Sequence, residues 1–178
     1  GVDMGPVVSA AARDRLFGAI TRAVEEGADP VLDGRTAHVP EYPKGYFVGP
    51  TVLDNVRKDS ATYREELFGP VLGMTPVGSL DEAIAQINAA EYGNAASIFT
   101  ESGAAARQFR YEVETGNIGI NVGVAAPVAM FPFSGAKGSF LGVLHPQGRD
   151  AIRFFTESKV VISRWGRGDR GPVTGVGR

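Results

Sequence analysis

An α/β fold on a mainly parallel sheet is what this sequence predicts, on three observations. Segments with apolar residues at helical spacing alternate with short apolar runs of strand length. Serines stand at the head of the helical segments and glycine closes two of them. Glycine is abundant, at 24 of 178 residues, as tight joints between short elements require.

Ser9 to Gly27 reads as the first helix, with Leu16, Phe17, Ile20, Ala23 and Val24 on one stripe, Ser9 as N-cap and Gly27 as stop. Pro30, Gly34, Pro40, Pro43 and Gly45 mark loops around a short strand near Val31. Tyr46 to Leu53 reads as a strand broken by Gly49-Pro50, better suited to a sheet edge than its centre. Val71 to Val77 is the next strand. Ser79 then opens a second helix, with Glu82 at capping-box spacing. Ala95 to Thr100 reads as a buried strand, Ser102 to Glu114 as a third helix ended by Gly116, and Asn117 to Val122 as another strand. Residues 123–148 are rich in glycine, proline and aromatics, and a loop of that length inside a domain points to function. A last helix from Gln147 to Thr156 precedes a strand from Lys159 to Trp165 and a disordered tail from 166 to 178. The domain expectation is therefore 1–157, 158–165 and 166–178.

Composition excludes several function classes. The chain carries 43% hydrophobic and 21% charged residues with a net charge of -2, typical of a globular protein and offering no basic surface for nucleic acid or anionic lipid. No apolar run is long enough to cross a membrane, and the expected compartment is the cytoplasm. There is no cysteine, which removes disulfides, thiolate metal sites and thiol nucleophiles from this chain. His38 and His145 stand far apart, each in a proline-containing loop, and read as surface histidines without metal partners. The opening residue Gly1, rather than Met, suggests processing or truncation.

The most informative stretch is Arg64-Glu65-Glu66-Leu67-Phe68-Gly69-Pro70. Adjacent acids cannot share one face of an element, so one can point inward while the other stays in water. Gly-Pro ends a helical turn and launches a strand, a junction where a carboxylate can grip ligand hydroxyls. By itself the heptad also reads as a solvated Glu pair before a turn. Ser134-Gly135-Ala136-Lys137 has the S-x-x-K spacing of penicillin-recognising acylases, but neither S-D-N nor K-T-G accompanies it. Arg167-Gly168-Asp169 is a chance tripeptide, and the glycines at 116, 119 and 123 make no dinucleotide fingerprint.

Four stretches together resemble the C-terminal part of an aldehyde dehydrogenase catalytic domain. They are Met4-Gly5-Pro6-Val7-Val8, Gly45-Tyr46-Phe47-Val48-Gly49-Pro50-Thr51, the heptad, and Gly119-Ile120-Asn121-Val122 with the later Pro132-Phe133-Ser134-Gly135-Ala136-Lys137. The likeness spans about residues 3 to 165. The loop from Asn121 to Phe133, with Gly142-Val143-Leu144-His145, is nearer to the CoA-acylating branch, the methylmalonate-semialdehyde dehydrogenases of valine and inositol catabolism.

The resemblance implies an NAD-dependent enzyme in which a cysteine attacks the aldehyde, hydride passes to NAD, and the acyl group leaves to CoA with decarboxylation. It places Glu66 on the ribose hydroxyls at the nicotinamide side and Phe68 beside that ribose, limiting the ring's swing. It puts Phe133 at the substrate entrance and Asn121 at the pocket floor, in a mainly structural role. Lys159 to Trp165 resembles a strand that pairs across subunits, so a homo-oligomer is implied. The family's cysteine, dinucleotide-binding half and CoA-holding residues match nothing here, so the chain is expected to be a fragment that is inactive alone. The alternatives are a hydrolytic NAD(P)-dependent aldehyde dehydrogenase and a non-catalytic oligomerisation module of the same fold.

Overall fold

The computed structural model describes residues 4–165. Both the 166–178 tail and its Arg-Gly-Asp tripeptide fall outside the described residues. Among the described residues, five α-helices and seven strands give the α/β class: α1 (Ala10–Glu25), β1 (Asp29–Leu32), β2 (Thr51–Asp54), α2 (Ala61–Arg64), β3 (Val71–Gly73), α3 (Leu80–Ala89), β4 (Tyr92–Gly93), β5 (Ala95–Ile98), α4 (Gly103–Glu112), β6 (Asn117–Ile120), β7 (Ala136–Lys137) and α5 (Gly148–Phe154).

Local chemistry explains the helix ends. Ser9, Ser60, Ser79 and Ser102 each accept a hydrogen bond from the backbone N–H three residues on, starting α1, α2, α3 and α4. Glu82 reaches back from α3, but to the N–H of Gly78 at 2.9 Å rather than to Ser79. Gly27 sits at φ 101 just past α1, and Ala28 N–H bonds Ala23 carbonyl while Gly27 N–H bonds Val24 carbonyl. That left-handed turn closes the helix and swings the chain into β1.

Two small cores hold the fold. In the first, Ile20, Ala23 and Ala28 meet Leu53 and Val56, with Val24 and Val71 packed alongside. In the second, Ile84, Phe109 and Val113 meet Leu80, Ile87, Ala96, Ile98 and Ile118. The sheet over the first core has order β1-β2-β3, with β1 antiparallel and β3 parallel to β2. β5 and β6 pair in parallel over the second, and β4 pairs with β7 antiparallel.

Four expectations change. The Tyr46–Leu53 strand begins only at Thr51, after Pro50, and β2 is the central strand rather than an edge. The missing proline N–H falls just outside the ladder, so it costs no rung. The Val71–Val77 strand stops at Gly73, and Leu72, Met74 and Val77 stay largely exposed. The 123–148 loop contains β7, because Ala136 and Lys137 find backbone partners on Gly93 and Tyr92. Lys159–Trp165 pairs with no strand among the described residues. Extended backbone needs a neighbour to form a ladder, and Val160, Val161, Ile162 and Trp165 are all exposed.

Candidate functional site

The acidic heptad is anchored from below by α1. Ser60 starts α2, which ends at Arg64, and Glu65 caps it in extended conformation. Arg15 donates to the carbonyl of Leu67. The Gly69 backbone lies against the fully buried Leu16, so closely that a Cβ there would sit 2.4 Å from Leu16 Cδ1. Gly69 is therefore required for close approach, and the chain immediately after it enters β3.

Between these anchors Phe68 takes φ 50, the left-handed region, with 78% of its surface exposed. A bulky residue adopts that geometry at a cost of about 1–3 kcal/mol, and such residues gather at functional positions. The turn lifts its ring off the body of the protein instead of burying it.

The two acids do not divide as inward and outward; both are exposed. Glu65 pairs with Arg22 at 3.5 Å. Glu66 makes no side-chain hydrogen bond or ion pair among the described residues, which leaves its carboxylate open to a ligand. A cleft of about 500 Å³ runs beside the heptad, lined by Thr62, Tyr63, Glu65, Leu67 and Phe68. Glu66 is not on its wall. Thr62 Oγ1 is buried there without a hydrogen-bond partner, a polar atom that sequence reasoning missed and that no local motif signals.

Phe133 lines a separate cavity of about 300 Å³ with Asn94, Ser97, Asn117 and Val124. The structure thus does not bring Phe68 and Phe133 to one cleft within this chain. Asn121 sits at φ 57, and its side chain works as a substitute peptide group: Oδ1 accepts from Thr100 N–H at 2.8 Å and Nδ2 donates to Thr100 carbonyl at 3.1 Å. It extends the β5–β6 pairing by one side-chain rung and faces backbone rather than an open pocket.

A third cavity, about 630 Å³, lies where the end of β6 meets the 123–148 loop, walled by Asn117, Val122, Phe131, Ser134, His145 and Asp150. His145 is half-buried rather than a surface residue. Its ring packs on Phe140 with centroids 4.0 Å apart, and its Nδ1 is buried without a partner. His38 is exposed, as expected. No group of three metal-ligating side chains occurs among the described residues, and none of their helices is long and apolar enough to cross a membrane. The groups with displaced pKa belong to the scaffold: hydrogen bonds from Arg35 hold Asp33 low, and the Gly78 N–H, then Lys58, hold Glu82 low.

A sequence profile described as the aldehyde dehydrogenase family matches residues 1–161. A probable methylmalonate-semialdehyde/malonate-semialdehyde dehydrogenase [acylating] of Dictyostelium discoideum is 45% identical over 166 residues, covering 93% of this chain and 31% of the relative. The malonate-semialdehyde dehydrogenase 2 of Bacillus anthracis is 48% identical over 164 residues, 92% of this chain and 34% of that protein. Among solved structures, a methylmalonate-semialdehyde dehydrogenase of Oceanimonas doudoroffii superposes with TM-score 0.91 at 42% identity, over 94% of this chain and 34% of that one. A putative methylmalonate-semialdehyde dehydrogenase of Sinorhizobium meliloti, complexed with NAD, gives TM-score 0.91 at 39% identity over the same shares, 94% and 34%. The chain spans about a third of the length of the relatives it matches.

Proposed function

Because this chain belongs to the aldehyde dehydrogenase family, we propose that it is part of an NAD-dependent, CoA-acylating (methyl)malonate-semialdehyde dehydrogenase, which oxidises the semialdehyde to an acyl-CoA with decarboxylation. The observation that carries this reading is the Glu66–Phe68 turn: an exposed carboxylate without a partner among the described residues, two residues from a ring held out in a left-handed backbone. Those two residues fit a nicotinamide ribose. An ionised carboxylate accepts from both vicinal hydroxyls, and such charge-assisted bonds are directional. The Phe68 ring supplies a wall that narrows the positions open to the sugar. NAD, when bound, supplies the hydride acceptor; this chain supplies a grip on one end of it.

Nucleophilic attack belongs elsewhere, since the chain has no cysteine. Phe133 is proposed to line the substrate entrance. Asn121 is proposed to keep its mainly structural role, holding the end of β6 to Thr100. The isolated chain is accordingly read as inactive. CoA as acyl acceptor is favoured by the similarity to relatives described as acylating. A second copy of the protein is the proposed partner, through Lys159–Trp165, whose exposed apolar residues lack a strand neighbour among the described residues. Light scattering of the chain shortened before Lys159 should show weaker association than the intact chain; equal masses refute this. Cytoplasm is the proposed compartment, with a mitochondrial location, as in the name of the Dictyostelium relative, the contrary outcome of fractionation.

The deciding experiment uses a full-length protein carrying this segment. Glu66→Gln should slow hydride transfer while thiol reactivity toward an aldehyde analogue persists. Unchanged turnover together with unchanged NAD affinity would refute the role of Glu66. Acyl-CoA formed from methylmalonate semialdehyde supports the acylating reading, and free acid alone refutes it.

A further inference from the structure

Lys137 holds an unusual place. Its backbone lies at φ 53, a left-handed conformation that residues other than glycine adopt at a cost. Its Nζ stands 3.1 Å from Ile87 carbonyl, 2.8 Å from Asn88 carbonyl and 3.2 Å from Ala90 carbonyl, at the C-terminal end of α3. An ammonium has three donors and no acceptor, so the three carbonyls satisfy it fully. Positive charge at the end of a helix also meets the negative pole of its aligned peptides. The cage thus offsets the backbone cost.

The same residue is a rung of the β4–β7 ladder, opposite Tyr92. Around it, Gly138 N–H bonds Glu91 carbonyl at 3.0 Å, and Gly93 N–H bonds Ser139 Oγ at 3.1 Å. On the other side, Ser134 carbonyl accepts from Asn117 Nδ2 at 2.7 Å. Gly135 presses on Gly116 so tightly that a Cβ on Gly116 would lie 2.3 Å from Gly135 N. Residues 134–139 are therefore pinned at both ends, and Phe133 enters directly from the first pin.

We propose that Lys137 is a positioning residue: its ammonium, seated on the end of α3, fixes residues 134–139 and through them the Phe133 ring at its cavity. The functional meaning rests on reading Phe133 as a substrate-entrance residue; the coupling of Lys137 to Phe133 does not, and it is measurable in this chain without cofactor or substrate.

The test compares the chain with Lys137→Met and Lys137→Arg, after labelling phenylalanine with fluorine and assigning the Phe133 resonance by its loss in Phe133→Leu. In Lys137→Met, amide exchange at Gly138 and Gly93 should accelerate about tenfold and the Phe133 signal should move. Val56 and Met74, whose N–H groups bond the Met74 and Leu53 carbonyls beside β2 and β3, should exchange as before. Lys137→Arg, which keeps the charge and the donors, should restore both readouts in part. Unchanged exchange with an unmoved Phe133 signal overturns the proposal, and so does equal acceleration at Val56 and Met74. If Lys137→Met fails to fold, acylation of the parent chain decides: Lys137 should react after the exposed Lys44 and Lys159, and equal reactivity overturns the cage.

Discussion

Substituting Gly69 by alanine should strain the heptad from underneath. The added Cβ would stand 2.4 Å from Leu16 Cδ1, 2.8 Å from Cδ2 and 3.2 Å from Cγ. It meets the whole end of the leucine, not a single mobile tip. Leu16 is fully buried, with no exposed direction in which to retreat. The φ of Gly69 is not left-handed, so the effect is steric rather than conformational. Overpacking of this kind costs about 1–3 kcal/mol. For a chain of this size each kcal/mol lowers Tm by roughly 2–4 °C. Urea unfolding followed by circular dichroism measures the loss. Leu16→Ala alone should cost about 2–5 kcal/mol, yet in the Gly69→Ala background it should cost about 1 kcal/mol less, because it opens the space that the methyl needs. Strict additivity refutes the contact, as does a Gly69→Ala loss within about 0.5 kcal/mol of zero.

The other predictions concern hydrogen-bonded side chains of the scaffold. Glu82 is held below its ordinary value of 4.5 by the Gly78 N–H first and Lys58 next. A depressed folded value contributes stability above the unfolded pKa, which is lost as pH falls through the folded one. Glu82→Gln should therefore flatten the acid limb of a stability-against-pH curve below about pH 4.5; an unaltered limb contradicts the cap. Asn121→Ala removes both bonds to Thr100 while leaving a Cβ at φ 57, and should cost about 1–3 kcal/mol in urea unfolding. Asn121→Gly should recover part of that loss, since glycine accepts the angle freely; identical losses would show that the backbone angle plays no part.

Some of this fold is legible in sequence because its causes are local. Ser9, Ser79 and Ser102 cap helices with their own hydroxyls, and Gly27 closes α1 through its own φ, so neighbouring residues suffice to read them. Ala19, three residues after Leu16 and four before Ala23, is buried on the same stripe, so helical spacing alone suffices to place it. Pro50 suggests an edge strand, but the sheet order that makes β2 central is set by residues far along the chain. At the site, the heptad stands out by composition, whereas the choice between Glu65 and Glu66 depends on Arg22, 43 positions away. The cage around Lys137 is still less visible: its acceptors are main-chain carbonyls 47 to 50 positions earlier, and carbonyls carry no sequence signature. Phe68 and Phe133 line separate cavities, and no local pattern in the sequence says whether two distant aromatic rings share one.

The Asn121 amide has a consequence for how this region can vary. Since a side chain completes the last step beside Thr100, the main chain is free to turn there, and one residue sets the direction in which the following segment departs. Lengthening the segment beyond Val122 would alter its reach but not its heading. A single insertion between Asn117 and Asn121 would present the wrong residue to Thr100 and redirect everything downstream, Phe133 included. Natural length changes should therefore cluster after this hinge and avoid the four positions before it.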